Sequence, residues 1–272
     1  MGSKREIDVT VPSSARIYDV LAGGSLNFDA DRAAAECLRE RVPDVDALAL
    51  ANRSFLHRVV RALAAEYGIR QFLDCGSGQP MTLNVHQIVQ AVDPRSRVVY
   101  VDNDPIVIAY GRESLDENDR TAMLNADMTD TEGIFEHPAV KELLRPDEPT
   151  AVLFVASLEC LPDSAQPRSV VRRIVERLPS GSFVVISHAV SGDPQLRGDV
   201  TRIMAEQTGE LWGRVREQWE VDAYFDGLAL EQPGLVDVAD WRPESALQQA
   251  LRSSQWQQYG GIARVPHPQS AD

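Results

Sequence analysis

No stretch of this 272-residue chain approaches the roughly 18 to 20 consecutive apolar residues that a membrane-crossing helix needs. The segment Met1 to Thr10 is polar and carries no apolar signal core, so a soluble, cytoplasmic protein is expected. Positive charge is also short: 27 Lys plus Arg stand against 41 Asp plus Glu, a formal charge of -14. Such a field repels phosphate backbones, which argues against general nucleic-acid binding. The three cysteines, Cys37, Cys75 and Cys160, form neither a disulfide framework nor metal-ligand spacing, so no structural metal is expected. Gly (17) and Pro (16) lie near the globular average, which excludes collagen-like and low-complexity chains, and no internal repeat is present.

Apolar residues make up 43% of the chain, enough for one large domain with at most a small appendage. The first 66 residues read as a helical prelude, with helices over Ala15 to Leu21, from Asp29 or Asp31 to Arg39, and over Val45 to Glu66. From residue 67 to 266 the pattern changes. Strands at Arg70–Asp74, Arg97–Val101, Thr121–Leu124, Thr150–Ala156 and Ser182–Ser187 alternate with helices over Asn84–Val92, Pro105–Ser114, Thr131–Leu144 and Arg168–Leu178. That alternation predicts an α/β fold, a parallel Rossmann-like sheet covered on both faces. Two late strands, Leu228–Glu231 and Gly261–Val265, follow helices at Pro194–Gly209 and Gln218–Phe225, and residues 267–272 are expected to fray.

The chemistry begins at Asp74-Cys75-Gly76-Ser77-Gly78, directly after the first strand. In open α/β sheets ligands bind at the carboxyl ends of strands, and glycines there let backbone approach them. Met81 stands where a dinucleotide fingerprint needs its third glycine, so pyrophosphate binding is poorly supported. An acid followed by Gly-x-Gly suits a cationic amino-acid ligand, with Asp74 near its amino group; a plain tight turn is the alternative. Asp102 closes the second strand, where a carboxylate can accept both ribose hydroxyls. Asn103 or Asp104 either joins the site or caps the next helix. Asp127 follows the third strand and can accept from an adenine amino group while Met128 packs on the ring; otherwise Asp127 is a turn residue.

These three acids around a Gly-x-Gly loop resemble the class I S-adenosylmethionine-dependent methyltransferases. The chain is more similar still to an actinobacterial S-adenosyl methyltransferase family, formerly a domain of unknown function. The likeness runs through Pro12-Ser13-Ser14-Ala15-Arg16-Ile17-Tyr18-Asp19, Gly23-Gly24-Ser25-Leu26-Asn27-Phe28, Ala30-Asp31-Arg32 and Asn52-Arg53-Ser54-Phe55-Leu56. It continues at Gln71-Phe72-Leu73-Asp74, Asn84-Val85-His86, Val99 to Pro105 and Ser187-His188. It ends at Phe225-Asp226-Gly227-Leu228, Trp241-Arg242-Pro243 and Tyr259-Gly260-Gly261. It implies a sheet of order 3-2-1-4-5-7-6, S-adenosyl-L-methionine as cofactor with S-adenosyl-L-homocysteine as product, and an undefined acceptor. Two departures stand out. Gln79-Pro80-Met81-Thr82 replaces the relatives' Gly-Leu-Pro-Thr, and Glu159-Cys160 replaces a His-Phe pair at the end of strand four.

The expected activity is methyl transfer to a small molecule, without nucleic acid or membrane; a homodimer is left open. A regulatory protein that binds the cofactor without transfer is one alternative, a nicotinamide oxidoreductase another. The polar segment 1–66 reads as a lid. Within it Gly23-Gly24 turns tightly over the cofactor, Tyr18 and Asn27 contact it, and Arg16 or Arg32 pairs its carboxylate. The same residues can instead fix the lid to itself. Asn52 and Arg53 either cross-link the lid or reach the cofactor. His188, after the fifth strand, is the first candidate for a base. Glu159 either meets a cationic acceptor, acts as base or caps a helix, and His86 either faces the cavity or is a bonded core histidine. Trp212, Trp219 and Tyr224 either wall an acceptor pocket or fill core.

Overall fold

A computed structural model describes residues 7–250 and 256–267; the expected fraying of the last residues falls almost wholly outside them. Five parallel strands, β1 (Gln71–Cys75), β2 (Arg97–Asp102), β3 (Thr121–Asn125), β4 (Thr150–Val155) and β5 (Phe183–Val190), form most of the sheet. Three later strands, β6 (Ala229–Leu230), β7 (Val236–Asp237) and β8 (Gln257–Arg264), complete it. The order is β3-β2-β1-β4-β5-β8-β6, with β7 also on β8, and β8 runs antiparallel to β5. This is the expected 3-2-1-4-5-7-6 arrangement, with one extra two-residue strand inserted before the last.

Successive strand residues point to opposite faces, so each apolar strand feeds two cores. Phe72, Val98, Tyr100, Leu153 and Val185 face helices α3 (Val45–Ala65) and α4 (Val85–Val92). Leu73, Val99, Val152, Phe154 and Val184 face α6 (Thr131–Glu136), α7 (Pro138–Leu143) and α8 (Pro167–Val175). The helical region 131–144 divides at His137 because Pro138 cannot continue a helix and starts the next one.

A third core joins α1 (Ser14–Leu21), α2 (Asp29–Arg41), the first turns of α3 and α9 (Pro194–Gln207). Helix α3 therefore packs on the sheet with its later half and holds α1 and α2 with its start. Arg58 anchors it further, donating to the carbonyls of Trp241 (2.9 Å) and Val238 (2.6 Å).

Two boundaries differ from the sequence reading. Strand β5 continues to Val190 and β8 begins at Gln257, because the antiparallel pair stays in register for eight residues. His188 thus lies within a strand, opposite Tyr259, and not beyond its end. Gly260 is required at this pair: a Cβ there would sit 1.9 Å from the Ile186 carbonyl oxygen. No helix among the described residues is long and apolar enough to cross a membrane.

Candidate functional site

The carboxyl ends of β1 to β4 open into a cavity of about 430 Å3. Its floor is the loop after β1. Gly76 adopts φ +79°, and a Cβ on it would lie 2.5 Å from Ser157 Cβ and 3.0 Å from Met128 Cε. The end of β4 and the loop after β3 therefore press directly on this glycine. Gly78, at φ +66°, has nothing within 4 Å of where a Cβ would stand, so its backbone faces free space.

Asp102 ties this loop to β2. Its carboxylate accepts from the backbone N–H groups of Gly78 (3.0 Å), Asn103 (2.8 Å) and Asp104 (2.9 Å). Burial raises its pKa while those N–H groups pull it back. Asp104 is the cap of α5 (Pro105–Ser114), accepting from Ile106 N at 2.8 Å. Asp127 accepts from Thr129 N (2.8 Å) and Oγ1 (2.7 Å), a turn, and from Asn103 Nδ2 (3.3 Å). Asp102, Asn103, Asp127 and Met128 all line the cavity, as do Asp74, Gly76, Ser77, Gly78 and Tyr18.

Asp74 is only 5% exposed. No group among the described residues donates a hydrogen bond to it, and burial lifts its pKa to about 7, with Arg53 opposing and Asp102 reinforcing the rise. Arg53 is the one cationic side chain among the described lining residues, which also include the carboxylates of Asp74, Asp102, Asp104, Asp127, Glu159 and Glu210. Its Nη2 donates to Leu83 O (2.9 Å), but its buried Nε has no partner. The neighbouring Asn52 cross-links α1 to β5. It donates to Tyr18 Oη (3.0 Å) and accepts from Ser187 Oγ (2.6 Å), while Tyr18 donates to Ala49 O (3.1 Å).

The remaining lid candidates do not line the cavity. Asp19 accepts from Leu26 N and Asn27 Nδ2, both at 2.8 Å. Gly24 leaves no room for a Cβ beside that carboxylate, and Gly23 takes φ +75° to make the turn. Arg16 is buried against Asp31 (3.3 Å), Ser13 and the Val11 carbonyl. Arg32 is exposed and pairs with Asp29 and with Asn27 Oδ1 (2.7 Å). Arg16, Gly23, Gly24, Asn27 and Arg32 thus turn towards partners within the N-terminal segment, although Arg16 Nη1 is buried without one, and none of the five lines the cavity where the sequence reading put them.

Two histidines are also sealed away from the cavity. His188 Nδ1 donates to Ala189 O (2.8 Å) and Nε2 accepts from Arg216 Nη1 (3.0 Å). Full burial, with the Arg216 charge adding to it, lowers its pKa to about 3. A histidine with both nitrogens engaged and no contact with the cavity does not serve as its base. His86 Nδ1 accepts from Tyr100 Oη (2.8 Å) and Nε2 donates to Glu117 (2.6 Å), a bonded core histidine. Glu159, in contrast, lines the cavity, is 5% exposed, and has no partner for Oε2. Burial raises its pKa to about 7, against the pull of backbone N–H groups, the Arg216 charge and the Gln258 amide.

Sequence reasoning missed Ser157, Trp256 and Gln258, which line the cavity with Trp212. Ser157 was signalled only by lying past an apolar strand, and Gln258 sits in a polar stretch that gave no sign of entering a strand. Trp219 is 65% exposed and Tyr224 is core, so of the three late aromatics Trp212 alone meets the cavity. No group of three or more potential metal ligands occurs among the described residues.

The family model for S-adenosyl methyltransferases matches residues 1–266. A crystal structure of a DUF574 family protein from Streptomyces avermitilis superposes with a TM-score of 0.90 at 38% identity, covering 96% of this chain and 100% of that one. A Thermobifida fusca protein assigned as a methyltransferase gives a TM-score of 0.87 at 37% identity, covering 96% and 97%. An O-methyltransferase family protein from Burkholderia thailandensis shares the fold alone, with a TM-score of 0.53 at 16% identity over 87% of this chain and 62% of that one. No curated protein is detectably similar to the chain.

Proposed function

The chain belongs to the S-adenosyl methyltransferase family, and from that premise we propose that the strand-end cavity holds S-adenosylmethionine beside a small-molecule acceptor. The observation that carries this reading is the charge of the wall: six carboxylates to one guanidinium, arranged around a glycine loop. That set suits a ligand with a sulfonium, an ammonium and a single carboxylate.

The chain's own groups divide the cofactor between them. Asp102 accepts a ribose hydroxyl at Oδ2, on the one lone-pair site of about four that its three backbone bonds leave free. Asp127 and Asn103 meet the adenine edge, and Met128 packs on the ring. Asp74, with no donor of its own, takes the α-ammonium, and Arg53 takes the carboxylate through its unpartnered Nε. The Gly76–Gly78 backbone and the unpartnered Ser77 and Ser157 hydroxyls supply the remaining polar contacts. When bound, S-adenosylmethionine supplies a methyl group on a positive sulfur that leaves as a neutral thioether. The protein's work is then to align acceptor, methyl and sulfur and to exclude water, and residues 1–66 act as the lid over the 67–266 transferase unit. The cavity volume of about 430 Å3 and the net charge of -14 favour a small acceptor over a nucleic acid, in the cytoplasm.

Calorimetry with S-adenosylhomocysteine on Asp102→Ala tests the assignment. Loss of charge-assisted bonds worth about 1.5 to 3 kcal/mol weakens binding roughly 10- to 100-fold. Unchanged affinity in a folded variant removes Asp102 from the cofactor site.

A further inference from the structure

With the cofactor assigned to the strand ends, the rest of the cavity wall has a different character. It is built from Leu38 of α2 and Val42 just after it, Leu48 of α3, Val200 and Met204 of α9, and Trp212. These are apolar side chains without a basic group among them. Where this wall meets the strand ends stands Glu159, two residues beyond the Ser157 that presses on Gly76. Gln258, 7% exposed, lies against the Glu159 carboxyl from β8.

The unfilled valences at this junction are specific. Glu159 Oε2 and Gln258 Oε1 are both buried and without a hydrogen-bond partner. With Glu159 ionised, both are acceptors. A buried acceptor left unpaired is costly, and a single group that pairs both brings at least two hydrogens. Trp256 Nε1, an unpartnered donor on the same wall, asks for at most one acceptor atom on the ligand's body.

We propose, building on the cofactor reading above, that the methyl acceptor is an apolar amine whose nitrogen hydrogen-bonds Glu159 Oε2 and Gln258 Oε1 while its body lies on the α2–α9 wall. An alcohol or phenol brings one hydrogen and leaves one acceptor unpaired. A carboxylate or phosphate brings none and meets the charge of Glu159. An entering ammonium gives one proton to the Glu159 carboxylate, which frees the nitrogen lone pair. The new C–N bond then forms as the methyl–sulfur bond breaks, sulfur keeps the electron pair, and the product leaves as a methylated ammonium. Glu159 returns its proton to water. Its pKa near 7 suits a group that takes and releases a proton at neutral pH.

The test uses 2-phenylethylamine and 2-phenylethanol, similar in shape and differing in the head group, titrated into the protein saturated with S-adenosylhomocysteine. The amine is expected to bind about tenfold or more tighter than the alcohol, the size of one orphaned bond. Glu159→Gln, which turns one acceptor into a donor, should abolish that preference, and Gln258→Leu should reduce it. Both variants should keep the wild-type far-UV circular dichroism spectrum and a cooperative thermal transition, which shows that they fold. Equal binding of the two probes, binding of neither, or a preference that survives Glu159→Gln overturns the proposal. Failure of S-adenosylhomocysteine itself to bind the wild type overturns the cofactor reading beneath it, so the two failures are told apart.

Discussion

Cofactor affinity should depend on pH through Asp74. This carboxyl is almost fully buried, receives no hydrogen bond and lies close to the Asp102 charge, and its pKa is raised to about 7. A cationic α-ammonium binds the ionised form, so a bound cofactor holds the pKa down. Below about pH 7 each unit then costs about 1.4 kcal/mol of binding free energy, or tenfold in affinity. S-adenosylhomocysteine should therefore bind about tenfold more weakly at pH 6 than at pH 8. Asp74→Asn should bind more weakly at pH 8 and lose this slope. Glu159 also has a pKa raised to about 7, so Glu159→Gln serves as control and should retain the Asp74 slope. The stability of the free protein moves the other way. A carboxyl whose folded pKa exceeds its unfolded value stabilises fully below the unfolded value, and that contribution is lost as pH rises through about 7. The melting temperature of the ligand-free protein should thus fall from pH 5 to 8, and saturating ligand should offset the fall. Calorimetry at pH 6, 7 and 8, at constant ionic strength, measures the first effect. A flat wild-type profile, or an equal slope in Asp74→Asn, refutes the reasoning.

Three further outcomes follow from the packing. Gly260→Ala places a Cβ against the Ile186 carbonyl and should destabilise the β5–β8 pair by about 3 kcal/mol or more, read by chemical denaturation. His188→Asn should keep cofactor affinity and lose about 1 to 3 kcal/mol of stability, since it disturbs the buried Arg216 bond. The lowered His188 pKa gives stability present above about pH 6.5 and lost as pH falls towards about 3, so the same variant should flatten that acid limb. Deleting residues 1–32 removes α1 and the start of α2, exposing the core against α9; cofactor binding should vanish while far-UV circular dichroism still reports the α/β sheet.

The strand-end acids were legible because buried parallel strands are short apolar runs, and the residue that ends each run must lie at the sheet edge. Asp74, Asp102 and Asp127 needed no more than that. The N-terminal segment was not legible in the same way. Arg16, Asn27 and Arg32 lie among residues as polar as those of a binding site, but their partners are Asp31 on the next helix, Asp19 across the Gly23-Gly24 turn and Asp29 one turn back. Polarity shows that a partner is needed, not whether it is a ligand. Arg53 shows the converse: three arginines, Arg53, Arg58 and Arg61, stand on the same helix, and local pattern leaves open whether Arg53 cross-links the N-terminal segment or reaches the strand ends. His188 was placed beyond β5 because Ala189 and Val190 are continued by pairing with β8, a long-range contact that local pattern cannot reveal.

The central claim is best tested by a crystal structure of the protein grown with S-adenosylhomocysteine. The account predicts a ribose hydroxyl on Asp102, adenine between Asp127 and Met128, the α-ammonium on Asp74 and the carboxylate on Arg53. Density for the ligand elsewhere, or in this cavity with its amino-acid end away from Asp74 and Arg53, would contradict it.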